Sequence, residues 1–170
     1  MDLYKFIRNI DDFPKEGIQF KDITPLLANS DAMEDCVRQL LKMLGDQKID
    51  KVAAIESRGF FFGTLLAQQL DAGFIPIRKP GKLPYNTIKE TYELEYGTDT
   101  LEIHSDAILK GDRVLLHDDV LATGGTMAAA CRLIEKLGGE VVQCNFMLEI
   151  EALNGVLKLQ NQNVKSLLKF

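Results

Sequence analysis

Positive charge is in short supply in this chain. Its 20 lysines and arginines are outnumbered by 25 aspartates and glutamates, leaving a net charge of −5. A field of that sign repels nucleic-acid phosphates, so no nucleic-acid partner is expected and any anionic ligand must be gripped locally. Cysteine is scarce too: Cys36, Cys131 and Cys144 are far apart, each inside an apolar segment. That pattern reads as buried free thiols in a reducing compartment, which makes the cytoplasm the expected location. With His104 and His117 as the only histidines, and neither CxxC nor HExxH present, a structural zinc site is not expected. No apolar run approaches the roughly 18 residues of a membrane span, and the first fifteen residues lack a signal-peptide core. Repeats, low-complexity tracts and linkers are missing as well. Hydrophobic residues, at 46% of 170, are sufficient for one core without disulfide or metal. A single domain over residues 1–170 is therefore expected.

Periodicity divides that domain into two crossover units. Residues 30–45 read as a helix, with Ser30 and Asp31 as cap chemistry, Met33, Val37, Leu40, Leu41 and Leu44 at helical spacing, and Gly45 as the stop. Residues 51–56 form a short apolar run typical of a strand buried on both faces. A helix over 59–70 and a strand over 74–77 complete the first unit. The second consists of a strand over 113–117, a helix over 126–137 and a strand over 140–150. Two such units imply an α/β fold with a mainly parallel sheet. Between them, residues 79–90 show no periodicity, and a structureless loop of that length is commonly functional or a lid. Weak alternation from 91 to 104 suggests a hairpin turning at Gly97-Thr98-Asp99.

The sharpest chemistry lies in Val114–Thr126. A buried strand ends in Asp118 and Asp119, passes through a loop of small residues, and enters a helix. Gly124 and Gly125 let the backbone approach a ligand closely. Thr123 and Thr126 add hydroxyls, and the helix start adds free N–H groups and a positive dipole end. The run lacks the lysine of a nucleotide P-loop and the GxGxxG of a dinucleotide site. By itself a glycine pair before a helix is equally a capped turn. The neighbouring acids favour a ligand: two carboxylates repel a bare phosphate but accept hydrogen bonds from vicinal hydroxyls. A ribose 5-phosphate meets both demands, whereas a glycosidase pair would need carboxyls spaced across a sugar.

This run, HDDVLATGGT, closely resembles the phosphoribosyl-diphosphate signature of the type I phosphoribosyltransferases. Residues 12–24, 56–59, 78–84 and 94–99 lie in that family's order and spacing over nearly the whole chain, and narrow the likeness to its adenine-using branch. The resemblance implies a mainly parallel twisted sheet flanked by helices, a small N-terminal hood over about 1–30 and a flexible hairpin lid over about 79–104. It implies transfer of a phosphoribosyl group from phosphoribosyl diphosphate to adenine, giving AMP and diphosphate, with Mg²⁺ on substrate oxygens and a homodimer as the working form. A transferase for a 6-oxopurine is the alternative within the family. A non-catalytic regulator would need an appended nucleic-acid module, for which this acidic chain has no spare domain.

Carried over residue by residue, the resemblance gives ribose and 5-phosphate to Asp118, Asp119, Ala122, Thr123, Gly124, Gly125 and Thr126. Diphosphate falls to Ser57, Arg58, Lys79 and Lys82, with a cis peptide at Glu56-Ser57 exposing the turn's amides. Arg78, the third member of that basic cluster, is set aside for the fold. Catalysis is assigned to Arg58 and to Glu95, which handles a proton at adenine, with Tyr96 beside it on the lid. Adenine is assigned to Phe20 by stacking, to the backbone near Gln19 and Lys21, and to Ile150 on the opposite face; Phe13 and Phe20 could instead seal the core. The chain departs from the family at three places. His117 stands where an aliphatic residue is usual and is read as a buried neutral histidine. Glu16 replaces a frequent proline, and Lys21 a frequent arginine.

Overall fold

The computed structural model describes residues 1–94 and 97–170, and Glu95 and Tyr96 lie outside the described residues. Its centre is a five-stranded parallel sheet in the order β4-β3-β7-β8-β9. These strands are β3 (Lys51–Ile55), β4 (Gly73–Ile77), β7 (Arg113–Leu121), β8 (Glu140–Glu149) and β9 (Val164–Lys169). The run Val52-Ala53-Ala54-Ile55 is wholly buried, as a parallel strand covered on both faces requires. On one face, α2 (Ser30–Leu44) and α3 (Gly59–Gln69) pack through Leu40, Phe62 and Leu66 against Val52 and Leu115. On the other, α4 (Gly125–Lys136) packs through Met127, Ala130 and Ile134 against Leu116 and Phe146.

Both crossover units stand where periodicity placed them, and the deviations have local causes. Asn29, rather than Ser30 or Asp31, caps α2, its side chain accepting from the Ala32 amide at 2.9 Å. β7 does not stop at His117: it continues to Leu121 because β8 pairs with it as far as Leu121↔Glu149. Asp118 and Asp119 therefore sit on the strand itself. The hairpin strands are β5 (Thr87–Glu93) and β6 (Thr98–His104), so its turn comes earlier than expected and Thr87–Glu90 is strand rather than loop. The alternation was masked by Glu90, which occupies an inward position between Ile88 and Tyr92 and is paired there with Arg132 and Lys136 of α4. β9 and a two-stranded hairpin of β1 (Arg8–Ile10) and β2 (Phe20–Asp22) have no counterpart in the sequence reading. Their strands are too short or too mixed to show a period. A short helix, α1 (Thr24–Leu27), joins β2 to α2.

Candidate active site

From β3 the chain crosses by α3 to β4 on one side; from β7 it crosses by α4 to β8 on the other. Adjacent strands that leave in opposite directions open a crevice at their carboxyl ends, where ligands of open α/β sheets bind. The residue 56–58 turn and the residue 122–124 loop face that crevice. Gly59, the first residue of α3, is pressed onto the second strand: a methyl there would lie 3.0 Å from Asp118 Oδ1 and 3.3 Å from its Cα.

In this crevice one acid of the pair is held by a cation and the other by a backbone amide. Asp119 is buried and ion-paired to Arg58, with Nε to Oδ2 at 2.8 Å. Half-buried Asp118 accepts the Asp119 amide at 2.9 Å. Burial, followed by repulsion from Asp119, raises the proton affinity of Asp118 well above that of an ordinary carboxylate. Burial also raises Asp119, and the Arg58 guanidinium opposes that rise. Beyond the pair, Gly124 takes a left-handed φ of 80° to turn the chain into α4. Asp118, Thr123, Gly124, Thr126 and Phe146 line a small cleft there of about 70 Å³.

Arg58 immediately precedes α3, at its N-cap position, and lies 4.9 Å over the Phe20 ring, joining the N-terminal hairpin to the acids. The Glu56-Ser57 peptide is cis, as the resemblance implies. Ser57 is exposed beside it. Glu56 organises the neighbouring basic segment: its carboxylate accepts from Arg78 Nη2 at 3.0 Å and from the Lys79 amide. Arg78 thus serves the fold, holding the Lys82 carbonyl as well, through Nη1 at 3.3 Å. The Lys79 ammonium pairs with Asp99 and donates to the Tyr92 hydroxyl at 3.3 Å. Burial depresses Lys79, but the Asp99 carboxylate and the Tyr92 hydroxyl together outweigh it and the net shift is upward. Lys82 is exposed at the mouth of the same segment.

In the N-terminal hairpin Phe20 meets Phe13 edge-on at 5.1 Å between centroids. Phe13 is exposed and Phe20 only half-buried, so neither seals the core. Lys21 turns its ammonium inward, donating to Asn9 Oδ1 and Gln19 Oε1, both at 2.7 Å, and lying 4.5 Å over the Phe170 ring. Its side chain is thereby committed to the fold. Ile150, half-buried, follows β8, its amide donating to the Leu121 carbonyl at 2.9 Å. His117 is fully buried, its Nδ1 2.7 Å from Asn145 Oδ1, and burial pushes its pKa down to about 4. Glu95 and Tyr96, expected at the lid, fall outside the described residues.

Several contacts around the crevice escaped the sequence reading. Thr126 Oγ1 donates to the Tyr92 hydroxyl at 3.1 Å, and that hydroxyl reaches Asp99 Oδ2 at 3.3 Å. A chain of polar contacts thus runs from the small-residue loop through the hairpin to Lys79. Gly155, beyond β8, touches the loop from behind, and Lys158 Nζ lies 3.8 Å from where a Gly125 methyl would stand. Only the dipeptide Asn154-Gly155 hinted at a tight turn there.

Known proteins share this architecture and sequence. A family model described as a phosphoribosyl transferase domain matches residues 21–152. The adenine phosphoribosyltransferase of Christiangramia forsetii is 63% identical over 170 residues, all of this chain and 99% of that one. That of Methanococcus vannielii is 53% identical over the whole of this chain and 98% of its own length. The crystal structure of the enzyme from Thermoanaerobacter pseudethanolicus matches with a TM-score of 0.97 at 51% identity, covering 99% of this chain and 98% of that one. The Saccharomyces cerevisiae enzyme, complexed with an imino-altritol bisphosphate and adenine, matches with a TM-score of 0.92 at 40% identity, covering 98% and 96%. The chain belongs to the phosphoribosyltransferase family and, within it, to the adenine phosphoribosyltransferases.

Proposed function

We infer that this chain transfers the phosphoribosyl group of phosphoribosyl diphosphate to adenine, releasing AMP and diphosphate. The observation that carries the reading is the acid pair on β7, just before the small-residue loop, with Asp119 2.8 Å from Arg58. In this reading the amides and hydroxyls of Ala122–Thr126 hold the 5-phosphate, and Asp118 and Asp119 accept the ribose hydroxyls. The same carboxylates favour the positive charge that develops at C1′ as diphosphate departs, a stabilisation that costs no reorganisation. Ser57, Arg58, Lys79 and Lys82 receive the diphosphate. Two of these cations are already paired with carboxylates, Arg58 with Asp119 and Lys79 with Asp99. Diphosphate binding exchanges those partners, and turning Arg58 towards diphosphate frees Asp119 for the sugar. Phe20 stacks on the base, with the Gln19–Lys21 backbone at its edge and Ile150 opposite. Glu95 handles the proton of adenine, and Tyr96 closes over it on the lid formed by about 79–104, as the N-terminal hood does from about 1–30.

Mg²⁺, when bound, neutralises diphosphate charge and eases its departure. As a hard cation it retains water and substrate oxygens and needs few protein carboxylates. The donor set suits that mode: two adjacent acids, and no cluster of three or more ligating side chains among the described residues. Three free buried thiols support a cytoplasmic setting. A half-buried apolar groove between α2 and α3, lined by Met33, Val37, Leu41 and Leu65, supports a homodimer. Sedimentation equilibrium is expected to return twice the 19.0 kDa chain mass, and a monomer at micromolar concentration refutes the pairing.

A steady-state assay with phosphoribosyl diphosphate, Mg²⁺ and adenine, hypoxanthine, guanine or uracil in turn tests the reaction. AMP from adenine, with the other bases slower by at least about a hundredfold, is the expected result. Turnover of another base in preference to adenine removes the specificity, and no turnover at all removes the reaction.

A further inference from the structure

After β8 the chain enters a 3-10 helix, Gly155–Leu159, through Asn154, whose backbone is left-handed at φ 51°. Asparagine is one of the few residues with a side chain that adopt this conformation readily. The turn drives Gly155 into the back of the small-residue loop. A methyl at Gly155 would lie 2.2 Å from the Ala122 carbonyl oxygen and 3.0 Å from the Gly124 nitrogen. From the other side, a methyl at Gly124 would lie 2.3 Å from the Gly155 carbonyl oxygen. Two stretches of backbone therefore touch with no side chain between them. A Gly155 methyl would also meet Leu121 Cδ1 at 3.0 Å, which a side-chain shift could relieve. The shortest clash on each side is with a backbone carbonyl oxygen, however, so relief there would require moving the loop or the 3-10 helix as a whole. Gly155 is buried, between the exposed Asn154 and Val156, and its own φ is not left-handed. Closeness, and not backbone conformation, demands glycine at this position.

We infer that Gly155 is a positioning residue for phosphate recognition. It fixes the distance and tilt of the loop from behind, and so sets affinity for the 5-phosphate without touching it. The inference rests on the reading of Ala122–Thr126 as the phosphate cradle. Amide donors act only over a narrow range of distance and angle, so a small displacement of the loop weakens several bonds together. The base and the acid pair stand on other segments and are not moved directly.

Calorimetric titration of the full chain with AMP and with adenosine isolates the phosphate, because the two ligands differ by nothing else. The wild-type chain is expected to prefer AMP by about a hundredfold or more. Gly155→Ala is expected to lower AMP affinity by about tenfold with adenosine within about twofold, and to raise KM for phosphoribosyl diphosphate while KM for adenine and kcat hold. An unchanged AMP-to-adenosine ratio in folded Gly155→Ala overturns the role of Gly155 and leaves the cradle standing. Equal binding of the two ligands by the wild-type chain overturns the cradle, and the inference with it. If Gly155→Ala does not fold, Asn154→Ala applies the same displacement more gently, through strain at the left-handed position. It is expected to lower the AMP preference about threefold, while Asn154→Gly, which adopts that conformation freely, retains it. Equal AMP preference in those two variants overturns the inference.

Discussion

Asp118 is held in a place that opposes its own charge. Burial and the adjacent Asp119 raise its proton affinity, so at neutral pH the ionised carboxylate costs the fold stability. The sign follows from linkage. The folded chain binds this proton at a pH where the unfolded chain has released it. The contribution of the site to stability therefore grows as pH falls towards the ordinary carboxylate range, and is lost as pH rises. His117 works in the opposite direction. Burial holds it near 4 while an unfolded histidine protonates near 6.5, so its contribution is lost as pH falls between those values. Asp118→Asn keeps the oxygen that accepts the Asp119 amide and removes the charge. It is expected to raise stability at pH 7 by on the order of 1 kcal/mol, while kcat/KM falls by at least about tenfold. Its urea midpoint should also fall more steeply on acidification from about pH 6.5 to about pH 4, because the Asp118 contribution that opposes the His117 slope is gone. A lower midpoint at pH 7 than in the wild-type chain would contradict this account.

At the scale of elements, the β5–β6 hairpin is tied to its surroundings by charge along its length. Glu90 on β5 holds Arg132 and Lys136 of α4, and Tyr92 two residues later joins Thr126 to Asp99 and Lys79. The hairpin thus connects the proposed 5-phosphate loop to a proposed diphosphate cation. Tyr92→Phe removes the hydroxyl at the centre of that chain and leaves the buried ring in place. It is expected to raise KM for phosphoribosyl diphosphate about three- to tenfold, with KM for adenine within about twofold, in initial-rate measurements. An equal rise in both constants would assign the hydroxyl to general stability. This network was hidden in the sequence for the same reason the strand was. Glu90 breaks the apolar alternation, and its inward position is understandable only once α4 supplies two cations.

For the whole molecule, strand order decides where chemistry can occur. β3 and β7 are neighbours, yet one leads to α3 on one face of the sheet and the other to α4 on the opposite face. The crevice between their ends collects residues 56–58, the acid pair and the small-residue loop. Net charge fits the same arrangement. An acidic chain cannot hold a highly charged anion by its general field, and the cations it brings to the crevice, Arg58 and Lys79, are kept in place by Asp119 and Asp99. In the proposed reading, the anion is recognised by neutral amides and by cations that change partners, which limits attraction of unrelated anions.

The sequence by itself determined the two crossover units, the parallel sheet, the burial of His117 and the run from Asp118 to Thr126. Each of these rests on local periodicity or on neighbouring residues, so a short window contains the whole signal. Only the tertiary structure decided that β7 continues through the acid pair, that Glu90 lies inside the hairpin and that Arg78 serves Glu56. It alone decided that Gly155 reaches the back of the loop. Those facts depend on partners far along the chain, brought within a few ångströms by sheet pairing and backbone packing, and no periodicity within one segment encodes a contact between two.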